Sequence, residues 1–393
     1  MTKVVPFLIC LYIFFLCSTI SNAGYSISLS LLLIFAMVEI VKKKIKIKIP
    51  PFSFDIIYLA FFGLLIIAAV GSGEKEAIES TLQFFYYTIP FIFLYLVFQY
   101  RFCERALQVG IFSAAVVLIG FSAYQFITLP IGTRISSIFV SPNRLPMVLE
   151  VFFPFMGSFL FMYYKRENRN FIVFIGMGVV LLLTVIALLL TQSRGGIIGI
   201  AFGFLFLLIV RFSFLQTSGG KLKKGFIFLS TIIFISGIGG WATQNILQRS
   251  YDMERILLLK SSYEMWSDHK LYGVGFDRWD EEYQEKYISP VAKEKKLDMP
   301  HNTVAFFFSA TGSVGGIGYL LFIFGTIIIL VKKMIDYPEN MYLQAMLWAF
   351  IAMFAHGLVD AGITNKFAAR LLFGFLGITM ASLRINSHDS MQR

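Results

Sequence analysis

The chain has 393 residues, of which 57% are hydrophobic and 15% are charged, and its mean hydropathy is +0.75. Soluble domains average about 45–50% apolar and about 25% charged residues. These values exclude an ordinary soluble globular protein, a disordered chain and a nucleic-acid-binding domain. The formal net charge of +11 requires an explanation, and its distribution along the chain supplies one.

Long apolar stretches follow one another along most of the chain. A bilayer core of about 30 Å takes about 20 apolar residues in a helix. Twelve stretches fit this length, which predicts an all-α, polytopic transmembrane helical bundle, and we expect residues 1–393 to form a single integral membrane domain. The predicted spans are 4–23, 25–41, 56–71, 82–100, 106–129, 145–164, 171–192, 195–215, 225–242, 313–331, 341–360 and 367–384.

Lys and Arg residues are concentrated in alternate connecting segments. The cation-rich segments are 42–48, 101–105, 165–169, 221–224 and 332–333. Because cytoplasmic loops carry an excess of Lys and Arg, these segments and both termini are predicted to lie in the cytoplasm. Topology therefore accounts for most of the positive charge, and no nucleic-acid partner is expected.

One long hydrophilic segment, residues 243–302, lies between predicted spans nine and ten, and the alternation places it outside. It holds nine Lys or Arg and eleven Asp or Glu residues, so it is nearly neutral. From Arg255 to Trp266 apolar residues recur at steps of three and four, which predicts an amphipathic helix along the membrane surface or capping the bundle. The aromatic and acidic stretch 279–287 fits either sugar contact or a solvated helix face.

Polar groups at or near membrane depth are costly and are candidate functional groups. Arg194 stands in Thr191-Gln192-Ser193-Arg194-Gly195-Gly196, at the outward turn between spans seven and eight. Guanidinium groups bind phosphate oxygens in a bidentate manner, and the N-terminus of the following helix also favours an anion. Arg194 is therefore either part of a phosphate site or an interfacial anchor that extends to lipid headgroups.

The preceding outward loop also carries cations on a face where few are expected. Arg134, and Asn143 with Arg144, either add to the same anion site or anchor a turn at the membrane surface. Glu150 follows inside span six. It is either a partner for one of these arginines or a buried, protonated carboxyl.

Three further candidates lie in the long loop, one near its start and two at its end. Arg255 opens the predicted amphipathic helix, where a surface ion pair with a neighbouring acidic residue is the alternative to a substrate contact. His301 and Asn302 mark the point where the loop re-enters the membrane. A histidine there is either a general base near neutral pH or a structural hydrogen-bonding group.

His356 and Asp360 are four residues apart, and hence on one face of span eleven. With Lys366 and Arg370 they are interpreted as an ion-paired latch. The sequence contains no P-loop, no zinc-binding helix motif, no Asp-x-Asp pair and no dinucleotide fingerprint. No metal site or cofactor is predicted.

Four segments in order resemble the O-antigen ligase/polymerase (Wzy C) superfamily of bacterial envelope glycan transferases. The resemblance covers roughly residues 135–320, and Asp360 falls where that family often has an aspartate. One departure is Lys270, where the family usually has proline. The segments are Ser141-Pro142-Asn143-Arg144, Thr191-Gln192-Ser193-Arg194-Gly195, Arg255 to Gly275, and Pro300-His301-Asn302-Thr303 continuing to Gly316.

This resemblance implies a GT-C-like helical fold and inverting, metal-independent glycosyl transfer on the periplasmic face of a bacterial inner membrane. The donor would be a glycan linked to undecaprenyl diphosphate. Arg194 and Arg255 would hold the diphosphate, together with Asn143, Arg144 and Asn302 as further binding residues. His301 would orient or deprotonate the acceptor hydroxyl.

The acceptor is not defined by these motifs. A ligase transfers the glycan to lipid A–core, whereas a polymerase transfers it to the next lipid-linked repeat unit. The long outer loop favours the ligase, with the polymerase as the alternative. A lipid-linked oligosaccharide flippase is a third hypothesis, but it would be expected to place charges along several spans instead of at one outer face.

Overall fold

The computed structural model describes residues 4–43, 52–100, 103–214, 250–293, 295–360 and 362–390. These ranges contain thirteen α-helices and no strand, so the predicted all-α class is confirmed. The helices are α1 (Val4–Ser18), α2 (Asn22–Lys43), α3 (Phe52–Gly71), α4 (Lys75–Tyr100), α5 (Glu104–Thr128), α6 (Arg144–Tyr164), α7 (Phe171–Leu190), α8 (Arg194–Phe214), α9 (Ser250–Asp268), α10 (Trp279–Glu282), α11 (Thr303–Asp336), α12 (Met341–Gly357) and α13 (Lys366–Ser390).

Eleven of the twelve predicted spans coincide with helices, and the span predicted at 225–242 lies outside the described residues. Eight helices, α3 to α8, α11 and α13, are long and apolar enough to cross a membrane. The other three contain shorter apolar helical stretches: α1, Asn22–Phe35 of α2, and α12. α1 ends five residues before the predicted boundary of 23, since Thr19 has a positive φ of 53° and Ser21 Oγ accepts from Gly24 N.

Helix–helix contacts in the bundle rest on close aromatic packing, with a few hydrogen bonds between helices. Lipid tails are as apolar as the side chains, so van der Waals contact and interhelical hydrogen bonds stabilise such bundles. Phe61 of α3 stacks on Phe322 of α11, with ring centroids 4.8 Å apart. Tyr58 and Thr88 share a hydrogen bond of 2.6 Å between α3 and α4.

Two ion pairs join cation-rich turns at one end of the bundle. Arg166 Nη2 lies 2.7 Å from Glu104 Oε1, and Lys165 Nζ lies 3.6 Å from Glu339 Oε2. The α4–α5, α6–α7 and α11–α12 connections therefore meet at this end. This grouping agrees with the alternation of charge in the sequence, which assigned the corresponding segments to one side of the membrane.

The long hydrophilic segment is docked onto a break in α11. Gly312 has φ 63° inside this helix, and the chain at 270–275 forms backbone hydrogen bonds on both sides of the break. Val274 N donates to Ser309 O and Ser313 N donates to Lys270 O, at 3.1 and 2.7 Å. A Cβ on Gly273 would lie 2.4 Å from the Ala310 carbonyl carbon, so this approach requires glycine.

The amphipathic helix predicted from Arg255 to Trp266 is present as part of α9. The stretch 279–287 has a solvated face, formed by Glu281, Gln284, Glu285 and Lys286, as one of its two interpretations expected, but its other face is buried. Trp279 and Tyr283 are buried and stacked, and Trp279 Nε1 donates to Ser262 Oγ of α9. Burial raises the pKa of the nearby Tyr287 to about 12, and its hydroxyl donates to Asp268. These aromatic rings hold the loop together instead of facing a sugar.

Candidate functional site

A polar cavity of about 330 Å³ lies at the end of the bundle opposite the two ion pairs. The helices α6, α8 and α11 begin near it, whereas α12 ends there. It brings together four of the six site residues predicted from the sequence, Asn143, Arg194, Arg255 and His301. The cavity is lined by Arg134, Asn143, Gln192, Ser193, Arg194, Gly195, Glu254, Arg255, Leu258, His301, His356, Val359 and Asp360.

Arginine side chains supply the positive charge of this cavity. Arg194 is the first residue of α8 and Arg255 lies in the second turn of α9; both are half-buried. Neither guanidinium group forms a hydrogen bond or ion pair with any residue that the structure describes. Arg134 is engaged instead, because its Nε donates to Thr191 O at 2.8 Å and its Nη2 to Asn143 Oδ1. Two half-buried cations without a protein partner among the described residues form a favourable site for an anion.

His301 is the candidate general base of the cavity. Its Nδ1 lies 3.3 Å from Oδ1 of Asp360, and its side chain is 31% exposed. A carboxylate only accepts hydrogen bonds, so this contact places the proton on Nδ1 and leaves the lone pair on Nε2. That tautomer is the one a general base requires.

The backbone of His301 has a positive φ of 50°, in the left-handed region that side chains other than glycine rarely adopt. Adjacent hydrogen bonds hold it there. Asn302 Nδ2 donates to Leu358 O at 2.8 Å, and Thr303 Oγ1 donates to Asp360 O at 3.2 Å. Such strain persists where the surroundings over-determine it, typically at functional sites.

The remaining two predicted site residues are placed differently. The Asn302 side chain caps α11 by accepting from Ala305 N, and it does not line the polar cavity. Arg144 is the first residue of α6 and also lies outside the cavity lining. Their roles in substrate binding stay predictions.

Sequence reasoning missed the group that lies behind the cavity. Glu150 is fully buried, and its Oε1 lies 2.7 Å from Nδ1 of His356, which is 1% exposed. Glu150 is therefore buried, as one of its two sequence-based interpretations expected, and it faces a histidine instead of an arginine. Asp360 accepts from Asn143 Nδ2 at 2.7 Å, so it connects His301 to the loop before α6. The costly position of Glu150 inside a span was the one available signal.

An apolar groove of about 460 Å³ adjoins the polar cavity. It runs between α9 and α11, where Leu259, Trp266 and Phe308 contribute to its walls. Leu258 and His301 line the cavity, and their chain neighbours Leu259 and Asn302 line the groove. The two spaces are therefore adjacent along α9 and at the start of α11.

In the part of the chain that the structure describes, no group of three or more His, Cys, Asp or Glu residues is arranged to hold a metal ion. The charged and titratable groups at the site are instead three arginines, Glu254, the His301–Asp360 pair and the buried Glu150–His356 pair.

The fold and the site together define a polytopic helical membrane protein with a cationic cavity and a histidine–carboxylate pair at one end of the bundle. Residues 179–320 match the Wzy_C family model, described as O-antigen ligase, and this segment contains Arg194, Arg255 and His301. The resemblance drawn from the sequence motifs is thereby confirmed. The family implies a glycosyltransferase-like enzyme that uses lipid-linked glycans. A comparison with curated proteins gave no match.

Proposed function

We propose that this protein is an O-antigen ligase-type glycosyltransferase. It transfers a polysaccharide from undecaprenyl diphosphate to an acceptor hydroxyl of lipid A–core, on the periplasmic face of the inner membrane. The observation that carries the proposal is the shared cavity of Arg194, Arg255 and the His301–Asp360 pair, within or beside the family-matched segment.

In the reaction, the acceptor oxygen attacks the anomeric carbon of the donor sugar from the face opposite the diphosphate. A new C–O bond forms while the bond from that carbon to the diphosphate oxygen breaks, with inversion at the carbon. His301 Nε2 takes the hydroxyl proton, and Asp360 stabilises the resulting imidazolium. Arg194 and Arg255 stabilise the charge that develops on the departing diphosphate. The balance of charge requires no metal ion.

The apolar groove supports an amphiphilic donor. A polyprenyl diphosphate has a doubly anionic head joined to a long hydrocarbon chain, and it needs a cationic seat next to an apolar one. The cavity and the groove between α9 and α11 provide this pair of adjacent environments. In this arrangement the glycan extends from the cavity toward the outer solution, where the acceptor approaches.

A deletion strain analysed by lipopolysaccharide gel tests the proposal. Loss of long chains with accumulation of lipid-linked polymer is expected for a ligase. Core carrying a single repeat unit would instead indicate the polymerase reaction, which uses the same leaving group. Lipid-linked units retained on the cytoplasmic side would contradict an enzyme and indicate a flippase.

A further inference from the structure

A buried acid–histidine pair lies directly behind the candidate base. Glu150 of α6 is 0% exposed and His356 of α12 is 1% exposed, and their side chains are in contact at 2.7 Å. The other ring nitrogen of His356, Nε2, lies 4.0 Å from Oδ2 of Asp360. The imidazole therefore has a carboxylate facing each of its two nitrogens.

Such a pair is difficult to explain by stability. Taking charged or strongly polar groups out of water costs free energy, and apolar residues of similar volume often stabilise a fold equally well or better. Inside a membrane-spanning bundle the cost is higher still, and polar groups there are functional by default. Apolar side chains could have filled this space between α6, α8 and α12.

Two glycines near the start of α8 pack against this pair. A Cβ on Gly195 would lie 2.6 Å from the His356 ring, and one on Gly199 would lie 3.3 Å from Glu150 Oε1 and 2.7 Å from Ala352 O. Only glycine lets α8 approach this closely. The helix that begins with Arg194 thus packs directly on the Glu150–His356 pair, while Asp360 follows three residues after the end of α12.

From this geometry we infer that Glu150 and His356 are positioning residues for the transfer reaction, acting on His301 through Asp360. Glu150 orients the imidazole of His356, whose Nε2 faces Oδ2 of Asp360 across 4.0 Å, while Oδ1 of Asp360 faces His301. At this distance the contact is electrostatic, and Oδ2 accepts its hydrogen bond from Asn143 Nδ2. The inference rests on the proposed function and adds two residues, outside the family-matched segment 179–320, that set the geometry of the base.

The test is a double-mutant cycle on purified protein in detergent, measuring transfer from lipid-linked glycan per folded molecule. Glu150→Gln keeps the shape and removes the charge. It is expected to lower kcat between about 3-fold and about 100-fold, the range for coupled residues in contact, with KM for the donor unchanged. In a His301→Ala background the same substitution is expected to have no further effect, because the group through which it acts is gone.

A second variant keeps the inference testable if Glu150→Gln does not fold. Replacing both partners in Glu150→Leu/His356→Leu leaves no unpaired buried charge, so this variant is expected to fold with a similar or higher thermal midpoint and still to lose transfer. Wild-type kcat in the folded double variant would overturn the inference. So would an equal loss from Glu150→Gln with and without His301.

Gln344→Leu is the matched control. Gln344 lies on α12, the helix that carries His356, and accepts from Arg211 Nη1 of α8 at 2.7 Å, near the opposite end of the bundle. It is expected to lower the thermal midpoint and leave kcat per folded molecule unchanged. Failure of the proposed function is a separate result, because the wild-type protein would then transfer no glycan at all.

Discussion

Nδ1 of His301 lies 3.3 Å from Oδ1 of Asp360, which follows 59 residues later in the chain. The first residue precedes α11 and the second follows α12, so the pair exists only because these two helix ends meet. Two hydrogen bonds between residues 302–303 and 358–360 hold the ends together. The candidate base is thereby oriented by a carboxylate from a separate helix.

If His301 is the general base, substitutions of His301 and of Asp360 are both expected to lower activity. His301→Ala is expected to lower transfer about 10²–10⁴-fold, the usual contribution of a positioned proton acceptor. Asp360→Asn is expected to lower it as well, because an amide can stabilise the wrong tautomer of His301. Transfer from purified lipid-linked glycan, normalised to folded protein, measures both effects. His269→Ala, on an exposed histidine of the same loop, is the control; unaltered activity of His301→Ala would remove the base from the mechanism.

If Arg194 and Arg255 bind the diphosphate, a positive charge without the guanidinium geometry is not sufficient for transfer. Arg194→Lys keeps the positive charge but loses the planar fork that binds two oxygens, so a severe loss of transfer with normal membrane levels is expected. Arg255→Ala is expected to remove about 1.5–3 kcal/mol of transition-state stabilisation, or about 10- to 150-fold in kcat/KM. Lys260→Ala on the same helix, where Lys260 pairs only with Glu264 in the described structure, is the control. Full activity of either arginine variant would indicate that the residue is an interfacial anchor and does not bind the diphosphate.

The groove predicts a defect specific to the lipid chain. Ala305→Trp fills part of the groove between α9 and α11, so KM for an undecaprenyl-linked donor is expected to rise. A donor with a short, water-soluble chain is expected to react as it does with the wild-type protein. Ile328→Trp, at an exposed site further along α11, serves as the control. Equal defects with both donors would mean that the groove does not hold the lipid.

The docking of the long loop predicts unequal effects of two glycine substitutions. Gly273 has φ 71° and is packed against the α11 backbone, whereas Gly73 has φ 75° and nothing within 4 Å of a built Cβ. Gly73→Ala is expected to cost only left-handed strain, about 1–2 kcal/mol. Gly273→Ala adds overpacking and is expected to cost about 2–5 kcal/mol. Thermal unfolding in detergent measures the difference, and equal midpoints would contradict the tight docking.

The alternation of Lys and Arg along the chain predicts which segments lie on each side of the membrane. In a background with Cys10, Cys17 and Cys103 replaced by serine, Gln284→Cys is expected to react with an impermeant thiol reagent from the periplasmic side. Asp336→Cys is expected to react only after the inner membrane is permeabilised. Labelling of Gln284→Cys from the cytoplasm would separate the loop from an outer-face reaction and contradict the proposed function.

Much of the fold was predictable because hydropathy is a local property. Each apolar stretch marks a helix by its own composition, and this identified eleven helices. α4 and α11 begin seven and ten residues before the predicted spans, because the first part of each helix is more polar than the predicted span that follows it. The predicted first span is too long because hydropathy does not detect the turn at Thr19–Ser21. The stretch 279–287 was assigned to the surface because its acidic residues hide the burial of Trp279 and Tyr283.

The sequence by itself determined the helical class, the clustering of cations at alternate turns and the candidacy of Arg194, Arg255 and His301. Only the tertiary structure decided which of these meet, since contacts such as Asn143 with Asp360 join residues 217 positions apart. The Glu150–His356 pair likewise has no local signature, because each residue alone is a single polar group in an apolar helix. The pair forms where α6 and α12 meet, and α8 packs closely against both residues through glycines. The role of these glycines appears only when the opposing side chains are in place.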